Sequence, residues 1–529
     1  MKQTGAAGAG TNNQGSLQMY IQGLANRLQD IADRVPERVF AQTAEGALTF
    51  GQIGAAANEV AARLLDRELV KGDRVVVMMA NSLGALAVIH GLMRAGLVWV
   101  PVNPSLVGEP LAHVIRTTQP GLVICDAGVE PALADCDAAQ GIPVEILRDR
   151  GLPAGGGVPA TSCPDPADLA AIMFTSGTTG PAKGVMVSHM MLELAAEGVA
   201  LCADLVPGDN LFMWEPFYHI GGAQVIVLPL IRDVHLTIAD RFSASRFWQD
   251  VAQGGCTHIH HLGGIIQILL KQPPGPQDRA HKVRIAWGGG CATEAWRPFE
   301  DRFGVQIREC YGMTECSSLT TWNDEGVVGA VGRPMPWFDI DLRAEDGRIL
   351  GPGEGRGEIV VRSSLSGAIT QGYFRNPEAT ARALRPEGFR TGDLGSWDAE
   401  GRLFFHGRMT DSVRCKGENV SAFEVESVAA RHPQVVDAAM VGVKADIGEN
   451  DILLFIQPQP GHSPDPAEIW QWMARQLAPH QRPRYIALVP DFPRTPSQRI
   501  QKHLLPDDPA LRWDRLSAAA LVTPQEARP

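Results

Sequence analysis

The residues with the clearest chemical purpose form one short run: Thr175, Ser176, Gly177, Thr178, Thr179, Gly180, Pro181, Ala182, Lys183 and Gly184. Its glycines allow positive φ and close backbone approach, so successive N–H groups can form an anion nest. Four hydroxyls add donors, and one lysine adds charge. The run follows an apolar, strand-like stretch at 169–172 and leads into another at 185–187. A solvated Ser/Gly linker seldom comes straight off a buried strand with a single lysine before the next one, so the composition reads as a phosphate grip. It is not a Walker loop, because no Lys-Ser/Thr pair follows a GxxxxG spacing.

With Val185, Ser188 and His189 behind it, this loop closely resembles the signature loop of the adenylate-forming superfamily, which comprises acyl-CoA synthetases, luciferases and the adenylation domains of peptide synthetases. Further motifs in the same order carry the resemblance over residues 40–510. Glu215-Pro216-Phe217-Tyr218-His219-Ile220-Gly221-Gly222 is similar to the segment whose histidine lies beside the carboxylate substrate; the plainer reading is a strand-to-helix turn with a polar cap. The resemblance puts Phe217, His219 and Gly221 in the acyl pocket. It sets Gly288, Gly289 and Gly290 between adenine and that pocket, where a strand ending in glycines admits a flat ligand. Trp287 either walls the substrate, beside Gly288, or belongs to the core.

Tyr311-Gly312-Met313-Thr314-Glu315 is similar to the YGxTE segment. An aromatic face can stack on adenine, a Thr hydroxyl can donate to the α-phosphate, and a carboxylate can hold Mg²⁺. The resemblance therefore makes Thr314 and Glu315 catalytic and Glu315 the metal ligand. It gives Tyr311, Gly312 and Met313 to the nucleotide, along with Asp393 of a Thr-Gly-Asp triplet, whose carboxylate can accept from both ribose hydroxyls, and Arg408. The family hinge falls at Thr410 and Asp411, and Lys416, Gly417 and Glu418 resemble the loop that meets the thiol acceptor. Lys416 stands where glycine is common, which narrows the pantetheine tunnel or changes its charge.

One departure concerns the chemistry directly. Pro493-Arg494-Thr495-Pro496-Ser497-Gln498-Arg499-Ile500-Gln501-Lys502 resembles the family's PRTxxGKIxK, but Gln498 replaces the glycine and Arg499 the lysine that orients carboxylate and ATP. Arginine keeps the charge in a bulkier planar fork. Either Arg499 does the work with altered geometry, or another residue has taken it over, or the first half-reaction is slow or specialised. Lys502, three residues on, is no obvious substitute.

These residues need a scaffold, and 529 residues are too many for one core, so two or more domains are expected. Helical patterns at 57–65, 83–95 and 111–118 alternate with strand patterns at 74–79, 97–102 and 121–125, which predicts a largely parallel α/β sheet. Short strands at 358–362 and 402–405 suggest a β-rich subdomain. Beyond residue 408, a helix at 423–430, strands at 435–443 and 452–457 and an amphipathic helix at 464–478 predict a compact α+β domain. The expected organisation is a flexible tail over 1–16, a large N-terminal adenylation domain over 17–408 and a small mobile C-terminal domain over 409–529.

Composition bounds the partners. Hydrophobic residues at 45% and charged residues at 20% are the balance of a soluble globular protein. A formal charge of −12 argues against nucleic acid or an anionic membrane as the main partner. The most apolar long stretch, 84–102, is interrupted by His90 and Arg94 and reads as a buried helix and strand, not a membrane span. No secretory signal is visible, and nine cysteines without CxxC pairs fit reduced thiols, so a cytoplasmic location is expected. His258, His260 and His261 lack a third spaced ligand and read as core or pocket wall. A homodimer stays open.

The resemblance implies two half-reactions: a carboxylic acid attacks the α-phosphorus of Mg·ATP to give an acyl-adenylate, and the thiol of coenzyme A then displaces AMP. The segment at 217–222 and the Trp-Gly-Gly-Gly run look most like carnitine-type and small-to-medium acyl-CoA ligases. The alternatives are a non-CoA acceptor (a carrier-protein thiol, an amine or a small inorganic nucleophile) and a degenerate ligase that only binds nucleotide. Against the last, every nucleotide-contacting motif is intact.

Overall fold

The computed structural model describes residues 23–44, 46–148, 164–175, 182–262, 264–409, 412–415, 418–445, 450–477, 479, 481–495 and 499–520; the expected tail at 1–16 lies outside them. The chain divides into two compact units. One comprises residues 1–291, 295–340 and 360–390, and the other 292–294, 341–359 and 391–529.

The first unit is built on two sheets. In one, Val144–Leu147, Leu122–Asp126, Arg74–Met78, Val98–Pro101 and Leu169–Thr175 run parallel in that order, and Lys183–Ser188 returns antiparallel beside the last. In the other, Gln306–Tyr311, Ile285–Gly289, His258–Leu262, Asn210–Met213, His235–Ile238 and Val39–Thr43 form the parallel run. Strands alternating with helices produce this arrangement, and ligands of parallel sheets bind beyond the carboxyl ends of the strands. Thr175, the Gly288–Gly290 turn, Tyr311 and the segment after Met213 all sit at such ends.

Local signals set the helices. Phe50–Leu65 starts seven residues before the periodic stretch at 57–65, because Thr49 and Gln52 form a reciprocal capping box. Gly54 within it is a packing residue: a Cβ there would lie 2.9 Å from the Ala32 side chain. Leu83–Ala95 is capped by Ser82 and stopped by Gly96 at φ 68°. It is buried throughout, His90 and Arg94 included, and no helix among the described residues is long and apolar enough to cross a membrane.

In the second unit, Leu342 pairs with Leu350, and residues 393–397 pair antiparallel with the strand Leu403–Arg408. The C-terminal sheet orders Val435–Lys444, Asn450–Pro458, Tyr485–Leu488 and Trp513–Asp514. Helices Ala422–Ala430 and Pro466–Ala474 share one core with it, through Val425, Ala429, Met440, Leu454, Ile469 and Met473. The second helix is shorter than the stretch 464–478, since Asp465 caps its start and the chain tightens after Ala474, where Gln476 N–H bonds the Met473 carbonyl three residues back.

Candidate active site

The phosphate-loop hairpin is anchored at its stem. Thr175 pairs with Lys183 across the strands Leu169–Thr175 and Lys183–Ser188, and the Thr175 hydroxyl reaches the Lys183 carbonyl at 3.4 Å. Ser176, Gly177, Thr178, Thr179 and Gly180 lie outside the described residues. The Lys183 ammonium sits 4.7 Å above the Tyr373 ring, a cation–π distance. The buried Tyr373 hydroxyl donates to Glu315 Oε1 at 2.8 Å. Lys183, Tyr373 and Glu315 therefore form one cluster at the foot of the hairpin.

Thr314 and Glu315 occupy a short helical turn, Thr314–Cys316, directly after the strand that ends in Tyr311. Both are buried. Ser318 N–H bonds back to the Met313 carbonyl, and Ser317 and Ser318 take positive φ of 49° and 65°. The turn folds so tightly that a Cβ on Gly312 would stand 1.7 Å from the Ser318 carbonyl oxygen. Glycine is required there by space.

The Trp-Gly-Gly-Gly segment is packed as closely. Gly288 lies between His261 and Glu309 on the flanking strands, and at φ 153° its Cβ would meet the His261 carbonyl at 1.8 Å. Glu309 accepts from the N–H groups of Gly290 at 2.5 Å and Cys291 at 3.1 Å. Burial pushes its carboxyl up to about 8, although those donors pull the other way. His261, 3.9 Å from Glu309, is driven down to about 3 by burial. At pH 7 both groups are neutral, so this is a contact between uncharged groups and not an ion pair. Trp287 is buried, with His260 stacked on it at 4.1 Å.

His219 caps the helix Ile220–Ile226, with its ring 4.9 Å from that of Tyr218. Asn81 holds the turn on both sides of Pro216, donating to the Glu215 carbonyl at 2.9 Å and accepting from Phe217 N–H at 3.0 Å. The buried Glu215 carboxylate lies 2.9 Å from His260 Nδ1 and fills the space where a Cβ on Gly221 would sit. His258 is buried and bonds the Ala203 carbonyl at 3.0 Å, and the described residues hold no cluster of three metal-ligating side chains.

In the second unit, the strand pairing sets Asp393 opposite Arg408, whose Nε stands 3.2 Å from Asp393 Oδ1. Thr391 fixes the Asp393 backbone, accepting its N–H at 3.0 Å and donating to the Ile359 carbonyl at 2.7 Å. Arg499 is exposed, its N–H bonded to the Thr495 hydroxyl at 3.1 Å, while Lys502 pairs with Glu426 at 2.8 Å. Glu418 opens a strand opposite Cys415; Thr410, Asp411, Lys416 and Gly417 lie outside the described residues.

Sequence reading missed Tyr373, Asn81 and Glu309 and gave Glu215, named in its motif, no role of its own; each lies far along the chain from a group it meets. For Tyr373, the glycine before it and the helix start after it were visible, but nothing local pointed to Glu315.

Comparisons with known proteins give the family. The AMP-binding enzyme family matches residues 28–374, and the AMP-binding enzyme C-terminal domain matches residues 424–499. The chain belongs to the AMP-binding enzyme family and is an AMP-forming ligase. It is 30% identical over 461 residues to the crotonobetaine/carnitine–CoA ligase of Salmonella paratyphi A, covering 82% of this chain and 88% of that one. It is also 30% identical over 473 residues to the sulfoacetate–CoA ligase of Cupriavidus necator, covering 86% and 91%. Among solved structures it resembles ATP-bound MatB from Rhodopseudomonas palustris, at 29% identity and TM-score 0.82, covering 91% of this chain and 98% of that one.

Proposed function

We propose that the protein is an acyl-CoA ligase that activates a carboxylic acid with ATP and passes the acyl group to coenzyme A. The observation that carries this reading is the Lys183–Tyr373–Glu315 cluster at the stem of the phosphate-loop hairpin, in which the tyrosine and the carboxylate are buried and the lysine is half-buried. The relatives support the acceptor, since their names agree on coenzyme A and differ in the acid.

In this reading the hairpin and Lys183 hold the phosphates, Tyr311 and the Gly288–Gly290 turn cradle adenine, and Asp393 with Arg408 takes the ribose. Thr314 donates to the α-phosphate, and His219, Phe217, Gly221 and Trp287 border the acid. A buried carboxylate fixed by a neutral donor fits Mg²⁺, which takes one or two protein carboxylates and fills its shell with phosphate oxygens and water. Glu315 would hold it, and the cation would neutralise charge on the leaving pyrophosphate. The protein's own part is to align the acid with the α-phosphorus and exclude water. Arg499 supplies the cation that a lysine gives in the family. The segment from residue 409 then turns about Thr410 and Asp411, bringing Lys416, Gly417 and Glu418 to the thiol.

The test is incubation with ATP, Mg²⁺ and a panel of carboxylic acids, with and without coenzyme A, followed by mass analysis. A CoA thioester with one equivalent of AMP is expected. An adenylate that ignores coenzyme A would move the acceptor elsewhere, and absence of AMP with every acid would overturn the reading.

A further inference from the structure

Tyr373 reaches the site by a route independent of the motifs. Its backbone docks on the strand leaving the phosphate hairpin: Val185 bridges to Tyr373, Met186 N–H donates to the Gly372 carbonyl at 3.1 Å, and Phe374 N–H donates to the Gly184 carbonyl at 2.8 Å. Gly372 takes φ 129°, and a Cβ there would lie 2.4 Å from the Thr380 side chain, so the chain can pass only as glycine. Thr380 then accepts the Tyr373 N–H at 2.9 Å and sets the direction of the ring. The Tyr373 hydroxyl ends on Glu315 Oε1, while the backbone carbonyl of Glu315 accepts from Thr370 N–H at 2.8 Å. The same 370–374 segment thus grips Glu315 by main chain and by side chain, and grips the hairpin strand by main chain.

A buried carboxylate with several rotamers would have to be ordered each time a cation arrived, at a cost in affinity. We propose that Tyr373 is the positioning residue of the nucleotide site: its hydroxyl holds the Glu315 carboxylate in a single orientation for Mg·ATP, and its ring carries the Lys183 ammonium, so that the acid and the phosphate hairpin are aligned by one side chain. This rests on the adenylating reading, in which Glu315 meets Mg²⁺. It adds a residue outside the segments that carry the resemblance, and it gives the Tyr373 hydroxyl a task that a phenylalanine could not perform.

Tyr373→Phe removes only the hydroxyl. ATP binding is measured by calorimetry with and without Mg²⁺, alongside ATP–pyrophosphate exchange as a function of Mg²⁺. The expected result is about a tenfold rise in the Mg²⁺ needed for half-maximal ATP binding, the effect of one charge-assisted hydrogen bond, with affinity for metal-free ATP unchanged. In a Glu315→Gln background the same change should add nothing. Equal losses with and without Mg²⁺, no loss at all, or additive losses in the double variant would overturn the proposal. If Tyr373→Phe does not fold, Thr380→Val, which leaves the phenol but removes its backbone anchor, should raise the Mg²⁺ requirement in the same selective way, and an unselective effect would overturn the proposal. Failure of the adenylating reading is distinguishable, because the unaltered protein would then show no Mg²⁺-dependent ATP binding.

Discussion

The turn Thr314–Cys316 and the stretch around Arg499 serve one proposed reaction but are built in opposite ways. Around Glu315, side chains are buried, the backbone passes through positive φ at Ser317 and Ser318, and Gly312 has no space for a Cβ. Around Arg499 the side chain is exposed, and its backbone is tied locally through Thr495. The first region places its groups by fixing the chain; the second relies on the reach of a long cation. That difference explains why a departure from the family pattern occurs at Arg499 and none at Tyr311, Gly312, Thr314 or Glu315.

The comparison is most open to breakage at Gly312. Gly312→Ala should destabilise the protein by about 4 kcal/mol or more, because the contact is with backbone that cannot swing away. Urea unfolding measures it, and a loss under about 1 kcal/mol would show the turn to be adaptable after all. Next, Glu315→Ala should slow ATP–pyrophosphate exchange about 10²- to 10³-fold with the folded state retained. A rate near that of the unaltered protein would remove Glu315 from the site.

The buried first unit should also leave a signature in pH. Burial lowers His90, His189 and His258 to about 4 and His261 to about 3, from an ordinary 6.5. The unfolded chain takes up these protons first, so the stability they contribute is complete above pH 6.5 and is lost as pH falls toward 4. Each contributes a slope of about 1.4 kcal/mol per pH unit. Glu309, raised to about 8, acts oppositely, since its contribution is full below about 4.5 and is lost as pH rises through 8. Four histidines outweigh the two acids raised by burial, Glu309 and Glu197, between pH 4.5 and 6.5, so the urea midpoint should fall on acidification. His90→Gln should flatten that fall, and an unchanged slope would show that His90 titrates normally.

The smallest effect is expected at the exposed end. Arg499→Lys should change adenylation by less than about threefold, while Arg499→Ala should lower it roughly tenfold or more. If lysine restores much faster exchange, the arginine limits the first half-reaction and its fork does not replace a point charge.

Much of this was legible in the chain. The alternation of helix and strand patterns over 57–125 shows a parallel sheet, and the YGMTE and TGD segments mark where a nucleotide would lie. Element starts were less legible: the pattern at 57–65 gave only the second half of Phe50–Leu65, whose start is set by the Thr49–Gln52 capping box and whose Gly54 lets Ala32 approach. Trp287 was undecided between core and pocket, since an aromatic at a strand end suits both; in the fold it is buried against His260.

The sequence by itself determined a phosphate grip, from hydroxyls, glycines and a lysine in that order, and its resemblance to the adenylate-forming superfamily supplied the class of chemistry. Only the tertiary structure decided which groups support them. Tyr373 stands 58 residues from Glu315, and the Glu309 carboxyl holds the Gly290 amide 19 residues away. The second pairing arises because parallel strands bring distant residues side by side, the first because the 370–374 segment docks antiparallel on the hairpin strand, and a hydrogen bond a few ångströms long depends on that register, not on spacing along the chain.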